Sequence, residues 1–534
     1  MASPPLPSSS FGSPPSSPNG LSTANSSPQR RSTSADIAYP SVLVDGEADS
    51  LPSPRFAFVN KELNATSVQE KPPWLSCREV WVQCRLAGPL ILGNLLSFLL
   101  QLVSTTFVGH TGSLELSAAA LAYSFSVVTG YSVLMGLGGA LETLCGQAFG
   151  AGEYRKVGIY MQRAMVVLSI VAVPIAVIWV FMEQIFLAVG QDAQLASKAG
   201  AYGVWLIPGL FSLAFYMPLV KFLQTQSLVV PLFGCFTITL IIHIPICWFL
   251  VFHTSLGYKG AAVANSISVW ITVLSLTLYV RFSPKCEASR APLSLEAVKD
   301  LRGYLKLAVP SAMMTCLEWW SYEILVFISG FLSNPELQTG IIAICVNSES
   351  LLYMIPAGIA AAVSTRVANE LGANNPQAAR QALNVARMLG MAQACLLIVF
   401  LLLVRNVWGQ LYSNDEDVVT TIAGYIPFFA ISSAFDALQT VLSGVVRGAG
   451  WQQAGAYMNL ASFYIAGLPT GCLLAFVGGL EGKGLWMGLI VGTMVQFISY
   501  CLLICYMDFE REAKRAVARV GASSSALQPL LPSS

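Results

Sequence analysis

The chain has 534 residues, 55% apolar and 11% charged, with a formal net charge of +1 and a mean hydropathy of +0.63. Soluble globular domains carry about 25% charged residues, so an ordinary soluble domain is excluded. Apolar runs long enough to cross a bilayer recur along the sequence and specify a polytopic helical membrane protein. No basic tract with interleaved aromatics suggests nucleic acid.

Residues 1–82 are Ser- and Pro-rich (SPPLPSSSFGSPPSSPNG) and are expected to form a disordered cytosolic tail. Ser13, Ser17, Ser27 and Ser53 each precede proline and offer phosphorylation sites. The first 35 residues hold only Arg30 and Arg31 as bases and no acid before Asp36. This suggests a plastid transit peptide, hence a plastid envelope location, although the heavy proline content argues against it.

Twelve spans follow, at 84–108, 117–141, 158–182, 197–220, 228–252, 258–281, 304–332, 339–363, 381–404, 419–444, 454–478 and 483–507, each closed by Gly, Pro or charge. Basic residues select one set of loops: Arg155 and Lys156, Lys221, the block from Arg281 to Lys306, Arg366 and Arg380, and Arg447. The alternate loops are mainly acidic, so both termini are expected in the cytosol. The sequons at Asn25 and Asn64 would then go unglycosylated.

The two halves repeat. LAGP at Leu86–Pro89 returns as LAVP at Leu307–Pro310, GQAFGAG at Gly146–Gly152 as ANELGAN at Ala368–Asn374, and GYKG at Gly257–Gly260 as EGKG at Glu481–Gly484. The fold expected is an all-α membrane protein of twelve transmembrane helices in two six-helix lobes related by a parallel internal repeat. The first lobe covers 83–282, an inter-lobe cytosolic loop 283–303, the second lobe 304–507, and a cytosolic tail 508–534. Parallel repeats are a transporter architecture, with the substrate site between the lobes near the midplane.

No Walker loop is encoded, because GGLEGKG near Lys483 has the wrong spacing and no Ser or Thr after the lysine. Active transport would therefore run on an ion gradient. No hydrolase or metalloprotease motif is present, so no enzyme activity and no cofactor are expected. The 12 cysteines are scattered without C-x-x-C pairs or metal-ligand spacing, so no metal is expected either. His243 falls within a span, as a proton relay or a hydrogen-bonded packing residue.

Intramembrane acids carry the chemistry, since a charge at the bilayer centre is costly and points to a use. They are Glu318 and Glu323 in span 7, Glu349 in span 8 and Asp436 in span 10. Glu318 and Glu323 are five residues apart and point to different faces. The first-half counterparts of Glu318 and Asp436 lie near Ser97 and Ser212, so the acids segregate to the second lobe. Aromatics including Trp319, Trp320, Tyr322, Tyr353, Tyr131, Trp205 and Tyr425 suit flat organic molecules or cations, most of them serving as packing.

CLEWWSYE (Cys316–Glu323), STRVANELGA (Ser364–Ala373), TLCGQAFGA (Thr143–Ala151) and SGVVRGAGWQ (Ser443–Gln452) resemble the multidrug and toxic compound extrusion (MATE) family in its eukaryotic, plant DETOXIFICATION-like branch. The resemblance spans residues 83–507. It implies an antiporter that exports organic compounds in exchange for protons by alternating access, working as a monomer in the plasma membrane, vacuole or another endomembrane. It also implies proton-coupling roles for Glu318 and Asp436, and an acidic family position at Glu323. Arg447 matches the arginine of the RGxG motif, read as a helix-end or lobe-packing element. Gln101, Tyr131, Trp319, Tyr353 and Glu349 are the candidate cavity residues.

Other readings stay open at this level. Sodium coupling uses the same carboxylates. A lipid-linked flippase of the same superfamily calls for a long basic cavity, against the acids found here. A major-facilitator transporter carries an acid and several bases between spans 2 and 3, where this chain reads GQAFGAGEYRKV. A membrane scaffold gives no reason for acids in one lobe only.

Overall fold

A computed structural model describes residues 76–412 and 416–527. The Ser/Pro-rich segment before residue 76, with its Ser-Pro pairs and both sequons, lies outside the described residues. Within them, α1 is Cys77–Gly109, α2 Ser113–Gly150, α3 Tyr154–Val180, α4 Ala193–Thr225, α5 Val229–Phe252 and α6 Lys259–Phe282. The second half supplies α7 Leu301–Ser329, α8 Pro335–Gly372, α9 Pro376–Trp408 and α10 Glu416–Ala449, then α11 Gln452–Val477 and α12 Glu481–Cys505. Each matches one predicted span, and most run several residues beyond it.

Eleven of these helices are long and apolar enough to cross a membrane among the described residues. The remaining one is α7, whose 29 residues suffice in length but include Glu318 and Glu323. These two acids account for the difference, and both meet polar partners inside the bundle, where polar side chains are tolerated at membrane depth.

Helix packing obeys the sequence repeat. α1 packs on α5 as α7 packs on α11, α2 on α4 as α8 on α10, and α3 on α4 as α9 on α10. Likewise α4 and α5 each pack on α6, as α10 and α11 pack on α12. The two lobes meet through a second matched pair, α1 against α8 and α2 against α7. Prolines follow the same pattern, Pro89 in α1 answering Pro310 in α7.

Small residues let the lobes approach at the face bearing the basic loops. A Cβ on Gly150 would collide with the backbone oxygen of Asn369, and one on Gly372 with that of Gln147. The same residues tie the seam: Gln147 Nε2 donates to the Gly448 carbonyl at 3.2 Å and Asn369 Nδ2 to the Thr225 carbonyl at 3.1 Å.

Two segments read as loop and tail are structured. The inter-lobe connection carries two short 3₁₀ turns, and Ala297, Cys286 and Ser289 within it are buried. Gln162 Nε2 of α3 donates to the carbonyls of Ala291 and Pro292, and Asp300 caps α7 by accepting from Gly303 N at 3.0 Å. Beyond residue 508, the expected tail forms α13, Phe509–Leu527. Phe509, Glu512, Ala513, Ala516 and Val520 are buried on one face, an i, i+3, i+4, i+7, i+11 stripe. This helix packs on α2, α8 and α9. Lys156 Nζ donates to the Val520 carbonyl at 2.9 Å, and Arg519 donates to Gln147 Oε1. Gly450, at φ +85°, ends α10 where an added Cβ would press on the Arg519 guanidinium.

Candidate functional site

Glu318 and Asp436 approach one another inside the second lobe through a shared donor. Asp436 and Gln439 lie three apart on α10, hence on one face, and both are buried. Gln439 Nε2 is 3.0 Å from Glu318 Oε1 and 3.0 Å from Asp436 Oδ1. An amide nitrogen carries two protons, so one side chain can serve both carboxyls. Tyr322, one turn beyond Glu318 on α7, donates to Asp436 Oδ1 at 3.4 Å.

Below this pair Asn459 of α11 acts as a hub. Its Nδ2 donates to the Met314 carbonyl at 2.7 Å and to Glu318 Oε2 at 3.3 Å. Its Oδ1 accepts from Gln496 Nε2 and Tyr500 Oη of α12, both at 2.8 Å. Directly after Asn459, residues Leu460–Gly467 form π-helical turns, a distortion frequent at functional sites. Glu349 of α8 joins from the far side, accepting from Ser433 Oγ on α10. Asp436 Oδ2, Gln439 Oε1 and Gln496 Oε1 are buried without a hydrogen-bond partner among the described residues. Unpaired buried polar atoms are costly, and here they collect around the same carboxyls.

The predicted site residues separate into three places. Glu318 and Asp436 share one hydrogen-bond network of α7, α10 and α11, and Glu349 of α8 meets α10 at Ser433, three residues before Asp436, with Tyr353, half-buried, one turn beyond Glu349. Glu323 leaves that network: its carboxylate accepts from Ser124 Oγ of α2 across the lobe boundary, as its five-residue offset from Glu318 requires. Trp319, also on α7, is half-buried. Gln101 and Tyr131 belong to the first lobe. Gln101 Oε1 accepts from Asn265 of α6 at 3.4 Å, while Tyr131 meets Trp179 edge-on with ring centroids 5.4 Å apart. His243 is fully buried between Ser104 Oγ at 3.1 Å and Ser268 Oγ at 2.8 Å.

One expectation is corrected. The first half does contain a buried acid, Glu142, about two turns before the end of α2. It pairs with Lys221 of α4 and, across the lobe boundary, with Arg447 Nε of α10 at 3.0 Å. The predicted span closed at residue 141 and so left Glu142 outside. One guanidinium and one ammonium partner compensate its desolvation, and Arg447, expected as a helix-end or lobe-packing element, joins the lobes here.

All twelve cysteines are free thiols, and no cluster of His, Cys, Asp or Glu among the described residues could hold a metal ion.

The MatE family profile matches residues 89–249 and 310–473, one match in each half. The chain belongs to the MATE transporter family. Protein DETOXIFICATION 16 of Arabidopsis thaliana is 46% identical over 447 residues, which cover 84% of this chain and 92% of that protein. Protein DETOXIFICATION 14 of the same plant is 44% identical over 435 residues, 82% of this chain and 90% of that protein. The crystal structure of the eukaryotic MATE transporter AtDTX14 superposes with a TM-score of 0.81 at 43% identity, covering 83% of this chain and 99% of that one. The Vibrio cholerae MATE transporter VcmN, at 16% identity and a TM-score of 0.73, shares the fold, covering 81% of this chain and 99% of that one. As a MATE transporter the protein is a multi-pass membrane protein with twelve helices in two lobes, and its family is one of transporters rather than enzymes.

Proposed function

We propose that this transporter exports organic compounds from the cytosol in exchange for protons by alternating access, with Glu318 and Asp436 as the proton-coupling pair. The observation that carries this reading is the Gln439 bridge, which holds two carboxyls of α7 and α10 to one donor at 3.0 Å each. When one carboxyl is protonated it turns from acceptor into donor, Gln439 Oε1 nearby is a buried acceptor without a partner among the described residues, and the amide is freed to turn. When both are ionised, the charges repel, and Gln439 is the donor they share while Tyr322 serves Asp436 and Asn459 serves Glu318. Proton binding therefore exchanges hydrogen-bond partners between α7 and α10, the helices whose relative position shapes the second lobe. Basic loops, and on this reading the cytosol, lie on the face where Gln147, Asn369 and Glu142–Arg447 close the seam, so the lobes are shut toward the cytosol.

Sodium coupling is the second reading, favoured by one observation: Asp436 Oδ2 and Gln439 Oε1 are buried oxygens with no hydrogen-bond partner among the described residues, and oxygen donors suit a hard cation. Inside-out vesicles separate the two. Uptake of compounds from a panel should follow an imposed pH gradient, acid inside, and should be indifferent to a sodium gradient. Glu318→Gln should abolish pH-driven uptake while membrane expression is intact; normal uptake by that variant would sink the assignment.

A further inference from the structure

We propose that a groove between α9, α12 and α13 binds the phosphate of an anionic phospholipid. Its basic wall is α9, where Arg380, Asn384 and Arg387 fall at i, i+4 and i+7 and so share a face. Ile504 and Cys505 at the end of α12, Met507 in the connection and Phe509 at the start of α13 form the apolar side, and the groove has a volume of about 400 Å³. No acid lines it. Asp508, adjacent in sequence, accepts from Glu510 N at 3.0 Å and caps α13. Both arginines are exposed.

Depth in the membrane selects the ligand. Met388 to Val404, the seventeen residues between Arg387 and Arg405, carry no charge and rise about 26 Å along a helix, close to the thickness of a hydrocarbon core. Arg387 therefore marks the core boundary, the level at which lipid phosphates lie, and Arg380 stands two turns farther out. Guanidinium groups bind phosphate oxygens through paired N–H donors, and the apolar wall of α12 and α13 faces the glycerol and acyl portion. Basic pockets between transmembrane helices at a cytosolic face recognise anionic headgroups by this chemistry.

The groove is joined to the closed seam. Arg380 lies 5.7 Å over the Phe509 ring, and Phe509 begins the helix whose far end reaches Gln147 of α2 and Lys156 of α3. A lipid held at Arg380 and Arg387 thus anchors the base of α13 while its far end spans to the first lobe.

Native mass spectrometry of the full-length protein in detergent tests this, with phosphatidylglycerol in one arm, phosphatidylcholine in a second and inorganic phosphate as competitor in a third. Wild type should retain one phosphatidylglycerol, with phosphatidylcholine bound more weakly and inorganic phosphate displacing none. The double variant Arg380→Gln/Arg387→Gln should bind phosphatidylglycerol about tenfold more weakly or worse. Arg281→Gln/Lys285→Gln, which removes the same two charges from another exposed site, should bind as wild type. Arg380→Lys/Arg387→Lys keeps both charges but not the paired donors, and should bind more weakly than wild type and more tightly than the glutamine variant. Melting of each variant in lipid-free detergent reports folding separately, and Arg387→Gln alone carries the comparison if the double variant is misfolded. Equal phosphatidylglycerol binding by wild type and the glutamine variants, equal binding of phosphatidylcholine, or displacement by inorganic phosphate would overturn the proposal.

Discussion

Glu142 and Arg447 form an ion pair between the two lobes, 3.0 Å long and with Glu142 almost wholly buried. Removing one partner strands a buried charge, which costs about 3–5 kcal/mol, whereas removing both can cost much less. Glu142→Gln and Arg447→Gln should each lower the melting temperature clearly, and the double variant should be more stable than the sum of the singles predicts. Additive losses in thermal melts would show that the pair is not coupled. Lys221, the other partner of Glu142, limits how complete the rescue can be.

The glycine crossing predicts a loss by addition. Gly150→Val and Gly372→Val each place atoms where a neighbouring backbone already lies, so the lobes cannot close on this face. Maximal transport should fall about tenfold or more, since a step of the cycle is blocked. Gly88→Ala, which meets nothing within 4 Å, should be silent in the same vesicle assay.

Gln439→Leu keeps the volume of the bridging side chain and deletes its amide. Glu318 Oε1 and Asp436 Oδ1 then lose their common donor. Leaving buried acceptors unsatisfied costs about 1–3 kcal/mol. Transport should be impaired by Gln439→Leu and substantially retained by Gln439→Asn only if the shorter amide still reaches both carboxyls; initial rates under a fixed pH gradient decide this.

His243 separates packing from relay. Both ring nitrogens are engaged by serine hydroxyls within the first lobe. His243→Gln should destabilise the protein by about 1–3 kcal/mol while preserving the pH dependence of transport. A changed pH profile with unchanged melting would reverse that assignment.

Cys286 provides a probe outside the membrane. Burial pushes its thiol up to about 11, against the opposing influence of Arg290 and Lys285. A thiol raised in the folded state contributes stability that is fully present below its unfolded value and is lost as pH rises through about 11. At neutral pH Cys286 should label with a maleimide far more slowly than exposed Cys77 or Cys84, as read by peptide mapping. Rapid labelling would mean that the inter-lobe connection opens readily.

Much of the architecture was legible because each span is a long apolar window and the repeated motifs recur at a constant offset. Glu318, Asp436 and Glu349 were legible because a carboxylate in such a window stands out. Gln439, Asn459, Gln496 and Tyr500 were not, since uncharged polar residues scattered through apolar helices look like many others until distant segments are brought together. Their signal was the i, i+3 spacing of Asp436 and Gln439 and two amides within spans 11 and 12. Glu142 was hidden by a boundary drawn one residue early, and α13 by reading a charged segment after the last span as a tail. In α13 the alternation of Phe509, Glu512, Ala513, Ala516 and Val520 carries the helical period, with a buried glutamate in place of an apolar residue.

The repeat has a consequence for how the halves diverged. Position 142 holds glutamate in the first half, while its counterpart 364 is serine; position 318 holds glutamate in the second half, where the first has a serine nearby. The clamp acid and the acids proposed to bind protons thus sit in different copies of the repeat. A chain assembled from two second halves would therefore carry Glu318 and Asp436 twice and no clamp acid, and one built from two first halves the reverse. The halves share a fold, yet they are no longer interchangeable parts.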